Sequence, residues 1–446
     1  MRAMTITKSF FFALMALSVA SPAGAADLLE TYHAAQSQDA VFAAARATHR
    51  AGQEKLPQGR SLLLPSVNLS ANTTYNDNSV QYSGTSPLAS SGTSRFNSHG
   101  YGVNLTQPLF RQQNWMTYTE AELQVAQADA QFNGAEQDLI LRVAQAYFDV
   151  LIAQDNVQLA EAQKTAIAEQ LEQAKRNFEV GTATITDTYE AQARYDLVDA
   201  QEIAAQSNLE VKKRTLQLLT NAKPGDLRQL GQQFKLEPLQ PVDMEKWVDE
   251  AQQHNSQLAV AQAAAELAGK EVARNRGGHY PTLDLVANYS ENFANGGSLG
   301  VGSDSRNTTV GVQLSVPLFQ GGATQSRVRE AEANRDRAGE ELETARRNVA
   351  LQTRQAYLGV VNGIAQVKAL QQALKSSESL LEASKLGQEV GVRTNLDVLN
   401  AQQQLYSTRR DLYQAEYNYL ISQLKLKAAA GTLAEDDLAK VNQALH

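Results

Sequence analysis

The sequence has 446 residues, a formal net charge of −8 at pH 7, no cysteine, and only 7% aromatic residues. Lack of cysteine excludes a disulfide framework, a thiolate metal site, a cysteine nucleophile and a lipidated N-terminal cysteine, and the acidic balance argues against nonspecific nucleic-acid binding. A mean hydropathy of −0.38 argues against a bundle of membrane helices, because beyond the N-terminus no apolar run approaches the roughly 18 residues that a spanning helix needs.

Residues 1–25 have the pattern of a signal peptide. Arg2 and Lys8 form a basic start, Phe10 to Ala20 an apolar core, and Ala23-Gly24-Ala25 a small-x-small cleavage site. The mature chain is expected to begin at Ala26. Loss of Arg2 and Lys8 takes the net charge from −8 to −10. The chain is therefore read as exported.

Residues 27–60 have helical character, with no proline before Pro57. After Pro65 the period switches to two, with Val67, Leu69, Ala71, Thr73 and Tyr75 on one face. A Ser/Asn/Gly/Thr-rich loop is expected from Asn76 to about Ser98, and Tyr101, Val103 and Leu105 then alternate up to Pro108. Each strand is about ten residues with a polar opposite face, which suits a strand crossing an outer membrane. A soluble hairpin with one wet face has the same pattern.

Asn114 to Glu179 lacks proline, and its one glycine is Gly134. As a helix it would run about 100 Å at 1.5 Å per residue. Positions stepping by four and three from Leu139 to Phe178 form a heptad seam rich in alanine and valine, interrupted once by Lys164. A solvated coiled coil and the wall of a helical tube with a wet lumen both fit this seam.

The second half repeats the first. Gln145-Ala146-Tyr147, Glu179-Val180-Gly181 and Asp187 recur as Gln355-Ala356-Tyr357, Glu389-Val390-Gly391 and Asp397 at a constant offset of 210. Leu283, Leu285, Ala287 and Tyr289, then Val310, Val312, Leu314 and Val316, mark a second strand pair. A second long seam carries Val349, Val360, Val367 and Leu374. The expected organisation is a repeat over 26–220, a Pro/Gly-bearing linker over 221–242, a second repeat over 243–430, and a C-terminal segment over 431–446.

Four strands cannot close a membrane barrel, and an open sheet edge cannot face lipid. The protomer must therefore assemble. Two copies would give eight strands and a barrel filled by its own side chains, whereas three would give twelve and a lumen.

Against this background the chain resembles the TolC family of outer-membrane exit ducts for efflux pumps and type I secretion. The similarity rests on Val390-Gly391-Val392-Arg393-Thr394-Asn395-Leu396-Asp397, on Tyr417-Asn418-Tyr419-Leu420-Ile421, on Phe178-Glu179-Val180-Gly181 with Ile185-Thr186-Asp187, and on Tyr280-Pro281-Thr282-Leu283. It extends over the whole mature chain. It implies a mixed α/β membrane protein: a trimeric twelve-stranded β-barrel, four strands per protomer, continued by a long α-helical coiled-coil barrel. The linker and the residues after Gly431 would form an equatorial belt. The implied location is the cell outer membrane, extending into the periplasm. The implied partners are outer-membrane lipid, two further copies in a homotrimer, a periplasmic adaptor (membrane fusion) protein, and an inner-membrane ABC or proton-driven pump. No nucleic acid, cofactor, metal or catalytic residue is implied. Conduction would be passive, behind a gated periplasmic entrance.

The candidate gate lies at the helix turns near Gly181 and Gly391, where a left-handed cap costs glycine little. By resemblance, Arg393 would bridge to Asp187 or Thr186 of a neighbouring helix, and Asp397 would form an acidic ring in the lumen. The chain departs from the family pattern at Gln388, where a tyrosine is usual, and at Asn400, where a second aspartate is usual. One acidic ring and a less constrained lock follow. Asp187 and Asp397 each lie three residues after a threonine, a capping-box spacing, so a purely structural role stays open.

Catalytic signatures are missing. The histidines have no metal-ligand spacing, and there is no nucleophile elbow or phosphate loop. Tyr75, Tyr101, Tyr289, Phe110 and Phe319 are either membrane-interface belts or ordinary packing at strand ends. A general diffusion porin and a structural coiled-coil surface protein are the competing functions, and the helix content disfavours the porin.

Overall fold

The computed structural model describes residues 27–81, 83, 92–231, 236, 238–297 and 301–445. The expected signal peptide lies outside these residues, as do parts of both strand-connecting loops and of the linker.

The segment expected as one helix over 27–60 forms three: α1 (Leu28–Gln38), α2 (Ala40–Gln53) and α3 (Lys55–Ser61). Asp39 makes the first break. Its backbone is extended, its carboxylate accepts the Phe42 N–H at 3.0 Å, and Arg142 donates to it at 2.8 Å. Pro57 stands in the first turn of α3, where a missing N–H leaves no helical bond unmade.

Four strands follow the expected pairing but are longer than expected. β1 (Ser66–Val80), β2 (Gly92–Phe110), β3 (Thr282–Ala294) and β4 (Ser303–Ser315) form one antiparallel sheet in that order. The stretch assigned to a loop from Asn76 is strand up to Val80, and pairing resumes at Gly92. Its polar side chains bind across the ladder: Asn76 Nδ2 donates to Ser98 Oγ at 2.9 Å, and Arg95 pairs with Asp77 at 3.1 Å. β2 also continues past Pro108. A register shift between Pro108 and Phe110 accommodates the missing N–H. β4 ends at Ser315, one residue before Val316.

Register puts most apolar residues of the four strands on one face, with Val80, Phe96, Val286 and Ala294 on the other. Val67, Leu105, Ala287 and Val310 lie in one cross-strand row, and Leu69, Val103, Tyr289 and Thr308 in the next. On the outer strands these side chains are uncovered, with Leu69 74% and Val310 72% exposed, and on the inner strands Leu105, Ala287 and Tyr289 are half-buried. From Leu283 to Tyr289 the apolar band spans about 20 Å along the strand. Tyr101, Tyr289 and Arg306 converge on Glu291 at its outer end. At its inner end Phe319 is exposed, and Phe110 is half-exposed at a pocket it lines with Leu63 and Trp115 at the junction.

The sheet feeds two helical hairpins. α4 (Gln112–Glu179) pairs with α5 (Ile185–Thr220), and α8 (Ala323–Glu389) with α9 (Asn395–Ala430). α6 (Met244–His254) and α7 (Ser256–Arg276) precede β3, and α10 (Glu435–Asn442) ends the chain. At 68 residues α4 is about 100 Å long. Its seam is buried as expected at Leu139, Val143, Ala146, Val150, Ala153, Ile167, Leu171 and Ala174. Lys164 does not break the packing, because its ammonium reaches Asp199 and, at 2.9 Å, Glu202 on α5. α8 buries small residues in its seam, among them Ala331, Ala338, Thr353, Ser377, Ser384 and Gly387. Small seam residues let the helix axes approach closely.

The main core lies mid-length. Leu139 to Leu151 of α4 meet Leu412 to Ala430 of α9, with Leu28 and Tyr32 of α1, Leu227, Trp247, and Leu433, Leu438, Val441 and Leu445 of the C-terminal segment. Each fully buried large apolar side chain stabilises by about 1.5–3 kcal/mol. Polar bonds hold the linker to this core. Tyr147 donates to the Arg228 carbonyl at 3.1 Å, Trp247 to the Pro241 carbonyl at 2.9 Å, and Leu230 bridges Leu445.

Gly431 closes α9 at φ +78°, and a Cβ there would lie 2.3 Å from the His254 carbonyl oxygen. Gly391 has the same φ with open space around it. Gly391→Ala should therefore cost only the left-handed backbone term, about 1–2 kcal/mol. Gly431→Ala adds a backbone clash and should cost at least about 3 kcal/mol. Thermal unfolding followed by circular dichroism measures both; equal losses would refute the close approach.

Candidate functional site

Both hairpin turns are built alike. Val180, Gly181 (φ +76°), Thr182 and Ala183 link α4 to α5; Val390, Gly391, Val392 and Arg393 link α8 to α9. Each glycine adopts the left-handed conformation that frees the next amides to bond back into the ending helix. Thr182 N–H reaches Asn177 O at 2.8 Å, and Val392 N–H reaches Gly387 O at 2.9 Å. Thr184 and Thr394 then cap the returning helices. Asp187 accepts Thr184 N–H at 2.8 Å and the Thr184 hydroxyl at 2.7 Å; Asp397 accepts Thr394 N–H at 2.9 Å and its hydroxyl at 2.8 Å. Both aspartates thus perform the capping role left open by their spacing. The Thr394 amide and hydroxyl, with Arg393 nearby, hold the Asp397 carboxyl below the usual aspartate range.

The turns differ in charge. Arg393 stands where the first turn has Ala183. Within one protomer its guanidinium lies 3.7 Å from Asp397, and among the described residues no bond joins it to Asp187 or Thr186. Its stem crosses Gly387, where a Cβ would lie 2.7 Å from the Arg393 Cγ. Gly387 is thus part of the Arg393 seat, a role signalled only by a glycine on the buried side of a helix end. Gln388 donates to Asn395 Oδ1 at 3.3 Å. Asn400 accepts from Arg194 of α5 at 2.9 Å, and the same guanidinium reaches Gln403. Thr186 is exposed in the first turn of α5. Phe178, Val180, Ile185, Tyr189, Leu386, Val390 and Val392 are all exposed at this end.

Moving one hairpin against the other must disturb the α4–α9 contact. Near the turns this contact is apolar, with Leu399 against Ile167, Leu171 and Ala174. Between there and the apolar core at mid-length it becomes polar. Tyr406 donates to the Ala162 carbonyl at 3.2 Å, and Tyr417 to Asp155 at 3.0 Å. A cavity of about 760 Å³ opens here between α4, α8, α9 and residues 229–231. Asp155 and Glu416 line it with Tyr413, while Arg409 is held by Glu378 at 3.0 Å. Burial pushes the Asp155 carboxyl up to about 6, although the Tyr417 hydroxyl opposes the shift. Burial also pushes Glu416 up to about 7, with Gln371 opposing and the Asp155 charge reinforcing. The sequence reading assigned none of these residues. A lone carboxylate in a heptad carries no sign of the partner it meets across helices 262 residues apart.

The chain matches the family described as outer membrane efflux protein over residues 31–222 and 247–432. It is 36% identical over 432 residues to the outer membrane protein TolC of Vibrio cholerae serotype O1, covering 96% of each chain. It is 34% identical over 440 residues to the alkaline protease secretion protein AprF of Pseudomonas aeruginosa, covering 97% of this chain and 90% of that one. Its fold matches the crystal structure of the outer membrane protein VceC of Vibrio cholerae with a TM-score of 0.77 at 19% identity, over 91% of this chain and 96% of that one.

The raised carboxyls give stability a sign with pH. Asp155 has a folded-state value above its unfolded one, so its protonated form stabilises the fold. That contribution is complete below about pH 4 and is lost as pH rises through about 6. Between pH 5 and pH 8 the Asp155 share should fall by roughly 1.5 kcal/mol, and Glu416, raised to about 7, adds a loss of the same sign. Asp155→Asn should make the curve shallower, leaving the Glu416 share, and raise the pH 8 unfolding temperature. A melt that is flat in the parent, or rises with pH, contradicts this.

Proposed function

The chain belongs to the outer membrane efflux protein family, and from that premise we propose that it is an outer-membrane exit duct for efflux and type I secretion, extending into the periplasm. The observation that carries this reading is a sheet whose uncovered face is apolar, placed at one end of helices about 100 Å long. The sheet suits lipid and the polar helices suit an aqueous compartment. A diffusion porin would put most of its residues in strands, whereas most here are helical.

The assembled form we infer is a homotrimer. β1 and β4 are edge strands, each paired on one side and open on the other among the described residues, and three copies would close twelve strands around a lumen. The helices support closure too. Leu197, Val211 and Leu218 on α5, and Leu351, Leu358 and Leu386 on α8, are exposed at heptad multiples. Such unpartnered seams fit a neighbouring copy. The repeats over 26–220 and 243–430 would supply quasi-equivalent walls, with 221–242 and 431–446 as the equatorial belt.

An inner-membrane ABC or proton-driven pump would supply energy through a periplasmic adaptor. The exposed Val180, Val390 and Val392 at the turns supply an apolar surface for adaptor docking, with Val180 73% and Val392 77% exposed. In the trimer, Arg393 would reach Asp187 or Thr186 of an adjacent hairpin and hold the entrance shut. Asp397 would give a single acidic ring, and Gln388, tied to Asn395, a weaker restraint than a tyrosine. Opening would repack the α8–α9 hairpin against α4, a shift between two packings.

Two experiments test this. Arg393→Ser should raise single-channel conductance in a planar bilayer; unchanged conductance would leave Arg393 with no gating role. A clean deletion strain should accumulate a fluorescent efflux dye, reversed by the intact gene. If accumulation does not change, the drug-efflux part of the reading is withdrawn and a secretion duct remains.

A further inference from the structure

The two faces of the sheet differ in charge as well as polarity. On the face opposite the apolar band, one cross-strand row reads Asn68, Asn104, Asn288, Thr309. The rows on either side of it are serine, glycine, asparagine and threonine, with the uncharged Val80, Phe96, Val286 and Ala294 among them. Asp77, Arg95, Glu291, Asp304 and Arg306 all belong to the other face by register, beyond the outer end of the apolar band. Among the described strand residues the polar face keeps one charge, Asp284, in the row with Pro108 and Gln313 where the sheet meets the helices.

That charge is cancelled. Arg111, the residue before α4, grips Asp284 through two parallel bonds, Nε to Oδ1 at 2.8 Å and Nη2 to Oδ2 at 2.6 Å. Asp284 is buried, 7% exposed, beneath a guanidinium whose position is set by the end of β2 and the start of the helix. A fork-to-fork pair of this kind is directional and holds both charges at one place. A fixed charge in a narrow aqueous bore with lipid outside its wall focuses its field on whatever passes. A cancelled pair does not.

We propose that the barrel section is a charge-neutral exit sleeve and that Arg111 is the residue keeping it so, by neutralising a ring of Asp284 carboxylates at the barrel–tunnel junction. This rests on the exit-duct reading, in which the polar face lines the lumen. The sleeve then passes anionic, cationic and uncharged cargo without sorting by sign. Any charge preference of the duct is set below it, at the helical entrance. A wall of short uncharged amides and hydroxyls also offers a passing polypeptide no strong charged anchor.

The absence of native cysteine makes a clean test. Thr106→Cys places a thiol on the polar face one row from Asp284. The assembled protein, in outer membranes at 0.15 M salt, is treated with cationic and anionic methanethiosulfonates of similar size. Rates are divided by those with a free thiol. The expected cation-to-anion ratio is within about twofold of one. Arg111→Gln should raise it by about threefold or more, and Asp284→Asn, which leaves Arg111 unpaired, should lower it by a similar factor. The double variant should return it to the parent value. If Arg111→Gln fails to assemble, the opposite shift with Asp284→Asn carries the test. A tenfold preference in the parent overturns the neutral sleeve, and single variants that leave the ratio unchanged overturn the role of Arg111. Val103→Cys, on the apolar face, should react with neither reagent. If it reacts with both while Thr106→Cys is inert, the lumen assignment itself falls, and with it the exit-duct reading.

Discussion

A backbone N–H or C=O that faces hydrocarbon without a partner costs several kcal/mol, and β1 and β4 each present a row of them. Most of the architecture can be followed from that cost. The sheet is antiparallel and internally paired over its whole length, yet it ends on two open edges. It cannot stay in a membrane as one copy. Closing it with further copies creates an inside and an outside, and the two faces are already chemically distinct. One is a band of uncovered Val, Leu and Tyr side chains; the other is amides, hydroxyls and glycine. The helices that leave the sheet would inherit the same circular order in such an assembly, with the exposed heptad positions on α5 and α8 facing the next copy.

The helical section packs differently within a hairpin and between hairpins. Within hairpins the seams are small and apolar, and the one charged interruption, Lys164, is answered by Asp199 and Glu202 of the partner helix. Between hairpins the contact is mixed. A short apolar patch around Leu399 gives way to Tyr406, Tyr417, Asp155 and Glu416 around a cavity, and Arg194 reaches over to Asn400 and Gln403 near the turns. Contacts made of single hydrogen bonds beside a cavity can be exchanged one at a time, whereas interdigitated apolar seams cannot. The stretch of the α4–α9 interface between the mid-length core and the turns is therefore built from the more exchangeable kind of contact.

Much of this was legible in the residues because periodicity is local. Period-two alternation gave the strands and their apolar face, the alanine–valine seam gave α4, and the offset of 210 gave the duplication. The misplaced boundaries have local causes as well. Polar runs such as Asn76-Asp77-Asn78 suit a loop in isolation, but they extend the strand once Arg95 and Ser98 lie opposite to bind them. Asp39 looks like an ordinary helix residue until Arg142, more than a hundred positions later, helps hold it as a break. At the turns the spacing Thr184 to Asp187 and Thr394 to Asp397 announced the caps. Gly387 gave no comparable signal, since its use depends on the Arg393 stem lying across it.

Sequence alone pointed to an exported-type leader and a twofold repeat, and gave strand pairs, helices far longer than globular ones, and a chain too short in strands to close a barrel. These follow from composition and from interactions between residues a few positions apart. Tertiary structure decided which carboxylates are capped, paired or buried. Asp397 shares its oxygens with Thr394, Asp284 is cancelled by Arg111, and Asp155 is forced towards its protonated form beside Tyr417. The reason is electrostatic. The state of a carboxyl depends on the dielectric and the donors within a few ångströms of it, and in this fold those donors arrive from distant helices and strands that no local pattern brings together.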